Sequence, residues 1–304
     1  MALDGLLVID KPAGPTSHDI VQRVRRVLNT HRVGHGGTLD PDATGILLVA
    51  AGQATRFFPF LSKERKTYEG VIRMGFSTDT YDASGHPAST PASVLPGREE
   101  IAAAMAGFVG DILQTPPRYS AKKLDGQPVY KLARADREFS LAPAPVTVFR
   151  FDPGVWSPPD LGFEAECSAG TYIRSLAHDL GARLGCGAHL AALRRTAVGP
   201  YVLAQAVTLE AFEDAGARGE AEGLLIPLGR LLPDVPAVVV LAEAEGRVRN
   251  GRLLEAADLA APPTPQAPSG PAAGLVRLVA ADGRLLALAR PAEGGALHPF
   301  LVLP

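Results

Sequence analysis

Residues 34 to 50 read Gly34-His35-Gly36-Gly37-Thr38-Leu39-Asp40-Pro41-Asp42-Ala43-Thr44-Gly45-Ile46-Leu47-Leu48-Val49-Ala50. A glycine-rich turn runs directly into a continuous apolar stretch of strand length, which reads as a buried strand. Upstream, Thr16 and Asp19 have capping-box spacing, and Ile20, Val21, Val24, Val27 and Leu28 line one helical face. The turn therefore joins a helix to a strand and presents His35 and Asp40 five residues apart. Glycine lets the backbone take positive φ and accept a close partner. Loops held by a scaffold are where chemistry is usually carried. Asp40 is thus the first candidate for a catalytic carboxylate, with an Asx-turn or helix cap as the competing reading. A calcium loop is excluded, because its twelfth position is Ala51 where a bidentate Glu is needed.

Working outward, Gly5 to Asp10, residues 67 to 76, 144 to 151 and 163 to 167 read as strands. Ile173, Leu176, Ala177, Leu180 and Leu184 return to helical spacing. Strands and helices mix without regular βαβ alternation, which predicts an α+β fold with a mixed or antiparallel sheet. Pro227, Pro233 and Pro236 mark a boundary, giving domains at 1–234 and 235–304. Short strands at 237–241, 275–280 and 284–290, with Asp282-Gly283 as a hairpin signal, make the second domain β-rich. Residues 261–274 are a low-complexity, Pro-rich loop within it.

Composition narrows the function. Hydrophobic residues make up 46% and charged residues 20%, which fits a globular and not a disordered chain. The formal charge of -2 does not advertise nucleic-acid binding, so such a partner needs a local basic face. One lies at 118–137, where Arg118, Lys122, Lys123, Lys131, Arg134 and Arg137 face only Asp125 and Asp136. A solvated helix face is the competing reading. Two cysteines give neither a disulfide framework nor a zinc spacing, and Cys186 with His189 is too small a set for a metal. No cofactor motif is present. No apolar stretch reaches membrane-spanning length, and Asp4 and Asp10 around the first apolar run argue against a signal or transit peptide. A cytoplasmic protein without metal or cofactor is expected.

Other segments carry chemistry-bearing residues. Strand alternation places Lys66 and Tyr68 on one face, where a tyrosine can stack on a base or move a proton. Thr78 to Gly85 is a polar, turn-rich loop able to order a site wall, or a plain surface turn. Ser168 to Leu176 follows a strand and opens a helix, with Arg174 in its first turn, where a guanidinium can hold a carboxylate bidentately. Ser120-Ala121-Lys122-Lys123 has the S-x-x-K form, but the companion motifs of a serine acyl-transfer enzyme are absent.

Taken in order, these blocks resemble the TruB-type tRNA pseudouridine-55 synthases of bacteria. The resemblance runs from Gly5-Leu6-Leu7-Val8-Ile9-Asp10-Lys11-Pro12 and Gly14-Pro15-Thr16-Ser17 through Gly34 to Gly45. It continues through Lys66-Thr67-Tyr68, Gly75 to Gly85, Gln114 to Ala121, Gly170 to Leu176 and Leu193-Arg194-Arg195-Thr196. It implies a pseudouridine synthase catalytic domain over 1–234, a central mixed and mainly antiparallel sheet, an RNA-binding insert at about 98–140, and a PUA-like RNA-binding domain over 235–304. It further implies that Asp40 is the catalytic aspartate, that Arg174 pairs with it and lowers its pKa, and that Tyr68 packs on the uracil. Leu193 would wall the base pocket, and His35 would enter the RNA stack as the target leaves. Gly36, Thr38 and Lys66 are expected beside the substrate, and Arg118, Lys122, Lys123, Lys131 and Arg134 on the tRNA T stem-loop. The glycines would let RNA backbone pass close to the turn. Lys122, Asp136 and the 261–274 loop depart from the family pattern.

The chemistry needs no redox change or metal. The bond from C1′ to N1 of uracil must break and a bond from C1′ to C5 must form. An ionised carboxylate can attack C1′ or stabilise positive charge there, as in a retaining glycosidase. Flipping the base costs a few kcal/mol, which an inserted side chain and a stacking tyrosine offset. A guide-RNA-dependent pseudouridine synthase subunit and a tRNA-binding folding chaperone are the alternatives. The insert argues against the first, and an intact Asp40, Tyr68 and Arg174 against the second. No obligate protein partner is expected.

Overall fold

The computed structural model describes residues 3–120, 123–124, 127–129, 135, 139–261 and 272–304. Its spine is a ten-stranded sheet. In chain order the strands are β1 (Gly5–Lys11), β2 (Val33–His35), β3 (Thr44–Ala51), β4 (Lys66–Met74), β5 (Gly110–Gln114), β6 (Ala144–Ser157), β7 (Asp160–Cys167), β8 (Ala188–Val198), β9 (Tyr201–Val202) and β10 (Val207–Thr208). They lie in the order β10-β1-β3-β8-β4-β7-β6-β5, with β2 beside β3 and β9 beside β8. The β1–β10 and β3–β8 pairs are parallel and the others antiparallel. This is the mixed, mainly antiparallel α+β sheet that the sequence predicts.

The apolar run of β3 is continuous because both its faces are covered. On one side Leu47 and Val49, with Leu7 and Ile9 of β1, pack on Ile20, Val21 and Val24 of helix α1 (Ser17–Val27). On the other, Ile46 and Leu48 join Leu275, Leu288 and Leu301 near the chain's end in one apolar cluster. Helix α1 starts where its capping box predicts: the Asp19 amide donates to Thr16 Oγ1 at 3.1 Å, and the Thr16 amide donates to Asp19 at 2.9 Å.

Strands β4, β7 and β6 alternate instead. Tyr68, Ile72, Phe163, Ala165, Val148 and Phe151 bury one face against helices α2 (Arg98–Ala106) and α3 (Ile173–Arg183). The opposite face meets solvent and carries ion pairs across the strands: Arg65–Glu166 at 3.3 Å, Arg73–Asp160 at 2.7 Å and Arg150–Glu164 at 2.8 Å. Each contributes at most about 1 kcal/mol, so this face supplies solubility and register more than stability.

Elements outside the sequence reading include α2, β5 and β8. The register of β8 against β4 shifts between Leu190 and Ala192 and again between Arg195 and Ala197. A bulge turns the following side chains onto the other face, so the period-2 pattern that marks a strand is erased. The bulge is also what places Leu193 and Arg195 on the cavity side.

Beyond residue 236, β11 (Ala237–Val239), β12 (Val276–Val279), β13 (Leu285–Pro291) and β14 (Leu297–Val302) form a second sheet in that order. Asp282-Gly283 turns between β12 and β13 as expected, with Gly283 at φ +83° donating to Ala280 O at 2.9 Å. Strand β14, interrupted by Pro299, was not read from the sequence. Of the 261–274 loop, residues 262–271 lie outside the described residues.

Gly45 sits where β3 meets β8 in parallel, opposite Arg195. Its φ is +96°, and a Cβ there would fall 2.2 Å from Arg195 O. Gly45→Ala must push two central strands apart. A loss of about 3 kcal/mol or more is expected, readable by denaturant unfolding; an unchanged midpoint would contradict this packing.

Candidate active site

A cleft of about 500 Å³ opens where the 36–43 loop, β4, β8 and the N-terminus of α3 meet. Thr38, Asp40, Lys66, Tyr68, Arg174 and Leu193 all line it. Among the described residues, Asp40 is the sole carboxylate in that lining, against the cations Lys66, Arg174 and Arg195.

The Asp40 loop is held on both flanks. Buried Ser17, at the start of α1, donates to Leu39 O at 3.0 Å and accepts from the Leu39 amide at 2.9 Å. Fully buried Lys11 ends β1 and donates to the carbonyls of Pro12, Pro41 and Ala43, each at 2.8 Å. Burial pushes its amine down to about 8, with Asp42 and Asp40 opposing. The sequence reading gives Lys11 no role beyond its place in the Gly5–Pro12 block. A lysine closing an apolar strand was the available signal, since such a charge must find acceptors.

Arg174 is buried and approaches Asp40 side-on, with Nε at 2.9 Å from Oδ2 and Nη2 at 3.2 Å from Oδ1. Nη2 also donates to Tyr119 O at 2.8 Å. Nη1 donates to Thr80 O at 3.2 Å and lies 3.3 Å from Asp82 Oδ2. Three N–H donations, to Asp40, Thr80 and Tyr119, and the close ion contacts of Nε with Asp40 and of Nη1 with Asp82 together restrain the guanidinium plane. Thr80 and Asp82 come from the polar 78–85 loop, which braces Arg174 but contributes no residue to the cleft lining. Asp82 was not singled out from sequence, because an acidic residue in a turn looks like many others.

The pairing pulls the Asp40 pKa down as expected, but burial outweighs it. Burial raises the Asp40 pKa above its ordinary value, Arg174 opposes this, and Asp82 adds to it. The side chain keeps 44% of its accessible area because it faces the cleft, while protein encloses it on its other sides. Arg174 is shared between two carboxylates, which weakens its pull on either.

Tyr68 is buried opposite Arg195 across the β4–β8 pair. Burial raises its phenol above the usual value, with the nearby Arg195 opposing. It is therefore a neutral ring and donor at physiological pH, not a ready base. Arg195, 1% exposed, donates from Nε to Ile46 O at 2.7 Å and from Nη2 to Gly37 O at 3.0 Å. It ties the glycine turn to β3, and sequence reading missed it because β8 was missed. Lys66 donates to Ser62 O and Glu64 O, both at 2.8 Å, and burial lowers it to about 8. Gln114 exchanges two hydrogen bonds with the Tyr172 backbone at 2.7 and 3.1 Å, joining the end of β5 to the start of α3.

His35 and Gly36 are not among the lining residues. His35 sits half-buried in β2, where burial lowers its pKa and keeps the ring neutral. The room left by the glycines is taken by the protein itself. Cβ atoms at Gly34 and Gly36 would lie 3.0 and 3.2 Å from the Phe58 ring, and Gly45 faces Arg195. Of the basic segment, exposed Arg118 lies over Phe139, 5.3 Å from the ring centroid. Lys123 falls in the short strand Lys123–Leu124. Lys122, Lys131 and Arg134 lie outside the described residues.

Residues 25–173 match the TruB family pseudouridylate synthase N-terminal domain, and residues 174–235 the tRNA pseudouridylate synthase B C-terminal domain. The tRNA pseudouridine synthase B of Solibacter usitatus is 42% identical over 99% of this chain and 100% of its own length. That of Opitutus terrae is 50% identical over 77% of this chain and 96% of its own. Among solved structures, an H/ACA RNP bound to a substrate RNA containing 2′-deoxyuridine has a protein chain that superposes with a TM-score of 0.74. The two are 26% identical, over 100% of this chain and 86% of that one. A Cbf5-Nop10-Gar1 complex gives 0.74 at 27% identity, over 99% and 85%. From the matched domains and these relatives, the chain belongs to the TruB family of pseudouridylate synthases.

Proposed function

We propose that this enzyme converts uridine 55 in the T loop of tRNA to pseudouridine, acting without a guide RNA or partner protein. The observation that carries this reading is Asp40, met side-on by buried Arg174 in a cleft whose other charged lining residues are Lys66 and Arg195. Such a cleft favours a polyanion and aims one carboxylate at it. Ionised Asp40 acts on C1′ of the flipped nucleotide. The bond to N1 breaks, the base turns, C5 bonds to C1′, the C5 proton leaves to solvent and N1 takes one up. Tyr68 stacks on the uracil and Leu193 walls it, while neutral His35 fills the RNA stack. Residues 118–137 and a PUA-like domain over 235–304 grip the folded loop by phosphate and shape, with strong salt dependence. The boundary near residue 234 divides these roles, and the cytoplasm, where tRNA is modified, is the site of action.

Tritium release from a tRNA transcript labelled at uridine C5 tests the reading, with the protein alone. About one equivalent per tRNA is expected from the intact transcript and none when uridine 55 is replaced by cytidine. Release from the substituted transcript would overturn the position. A requirement for guide RNA would favour the guide-RNA-dependent alternative. In the same assay His35→Ala should slow release by about tenfold without abolishing it; an unchanged rate would remove His35 from flipping.

A further inference from the structure

Among the described residues, Asn29, Tyr81 and Leu232 are the non-glycine positions at positive φ, and Tyr81 stands out by its place. It lies between Thr80, whose carbonyl accepts from Arg174, and Asp82, whose carboxylate meets the same guanidinium. Its φ of +65° is left-handed, a conformation that costs a non-glycine residue roughly 1–2 kcal/mol. Something must hold it there. The tyrosine ring stacks on His178, with ring centroids 3.7 Å apart and planes 15° from parallel. Its carbonyl accepts from the Leu190 amide at 3.0 Å, and the next turn returns through Ala83 to Leu190 O at 2.9 Å.

His178 is four residues after Arg174 on α3, so the two side chains lie on one helical face. A single helix face thus grips three consecutive loop residues. Arg174 takes Thr80 and Asp82, and His178 takes the ring between them. Neither Tyr81 nor His178 reaches the cleft lining.

We propose that Tyr81 and His178 are positioning residues for the reaction. Their stack locks the loop in the left-handed turn that places Thr80 O and Asp82 on Nη1 of Arg174. With Nη1 so engaged, the Nε and Nη2 edge is presented to Asp40. If the stack loosens, the guanidinium plane is free to rotate, and the carboxylate loses its fixed orientation before tRNA binding is affected. Small misplacements of this kind cost rate more than affinity.

This rests on the reading of Asp40 and Arg174 given above, and the test separates the two. Steady-state tritium release is measured for Tyr81→Ala, Tyr81→Phe, His178→Ala, Asp82→Asn and the Tyr81→Ala/Asp82→Asn double variant. Tyr81→Ala and His178→Ala should each lower kcat by about tenfold with KM for tRNA within about twofold. Tyr81→Phe, which keeps the stack, should restore kcat. The loss in the double variant should be smaller than the product of the single losses, because both changes act through the same guanidinium nitrogen. Unchanged kcat in Tyr81→Ala, or losses that multiply in the double variant, would overturn the inference. If Tyr81→Ala does not fold, His178→Ala and Tyr81→Phe decide alone. Full activity in Asp40→Asn would instead remove the underlying reading.

Discussion

Asp40→Asn is expected to abolish pseudouridine formation, lowering kcat by at least about 10³-fold, while tRNA binding is largely kept. The amide is nearly isosteric and can still accept from Arg174, so the loop clamped by Ser17 and Lys11 has no reason to move. Only the negative charge is lost. Activity surviving in this variant would sink the assignment of Asp40. The wild-type pH profile adds a sharper check. The competent form is ionised, and burial lifts the Asp40 pKa above its ordinary value of 3.8. Activity should therefore fall on acidification through a limb that lies above 3.8, about tenfold per pH unit below it. A limb at or below 3.8 would mean that Arg174 wins over burial.

Arg174→Met should be nearly as damaging, with a loss of about 10² to 10³-fold, because it removes the shared partner of two carboxylates. Asp40 and Asp82 would then face each other without the cation between them. Like charges disfavour ionisation, so the residual activity should show an acid limb moved to higher pH. Asp82→Asn should move the limb the other way, since Asp82 raises the Asp40 pKa in the intact site. Arg174→Lys should recover little. An ammonium is a point donor and cannot engage Asp40 bidentately while also meeting Thr80, Asp82 and Tyr119. The measurement is the pH dependence of kcat in the four proteins. Limbs that coincide would show that the three side chains are not electrostatically coupled.

Both predictions depend on contacts between residues far apart in the chain, and the sequence foreshadowed them unevenly. Asp40 and Arg174 were named together because their blocks follow a family order, not because anything local joins them. Asp82 and Arg195 fall within the quoted blocks, but nothing in the sequence gives either a role. Asp82 is one acid in a polar turn, and its meaning comes from a guanidinium 92 residues away. Arg195 lies on a strand whose two bulges erase the alternation that reveals strands. Arg174 lowers the Asp40 pKa as the pairing implies, but the burial and second carboxylate that outweigh it exist only in three dimensions.

Local physics was legible where it is short-ranged. The Thr16–Asp19 cap, the two-sided burial of β3, the alternation that brings Lys66 and Tyr68 to one face, and the Asp282-Gly283 turn depend on neighbours a few residues apart. The order of the motifs determined the family and with it the reaction. The tertiary structure decided what the glycines of the 34–45 turn are for: the room at Gly34, Gly36 and Gly45 is filled by Phe58 and the Arg195 backbone. It also decided the sharing of Arg174 between Asp40 and Asp82 and the ionisation tendency of Asp40. Distance, desolvation and the competition of two carboxylates for one guanidinium arise only when segments from opposite ends of the chain pack together.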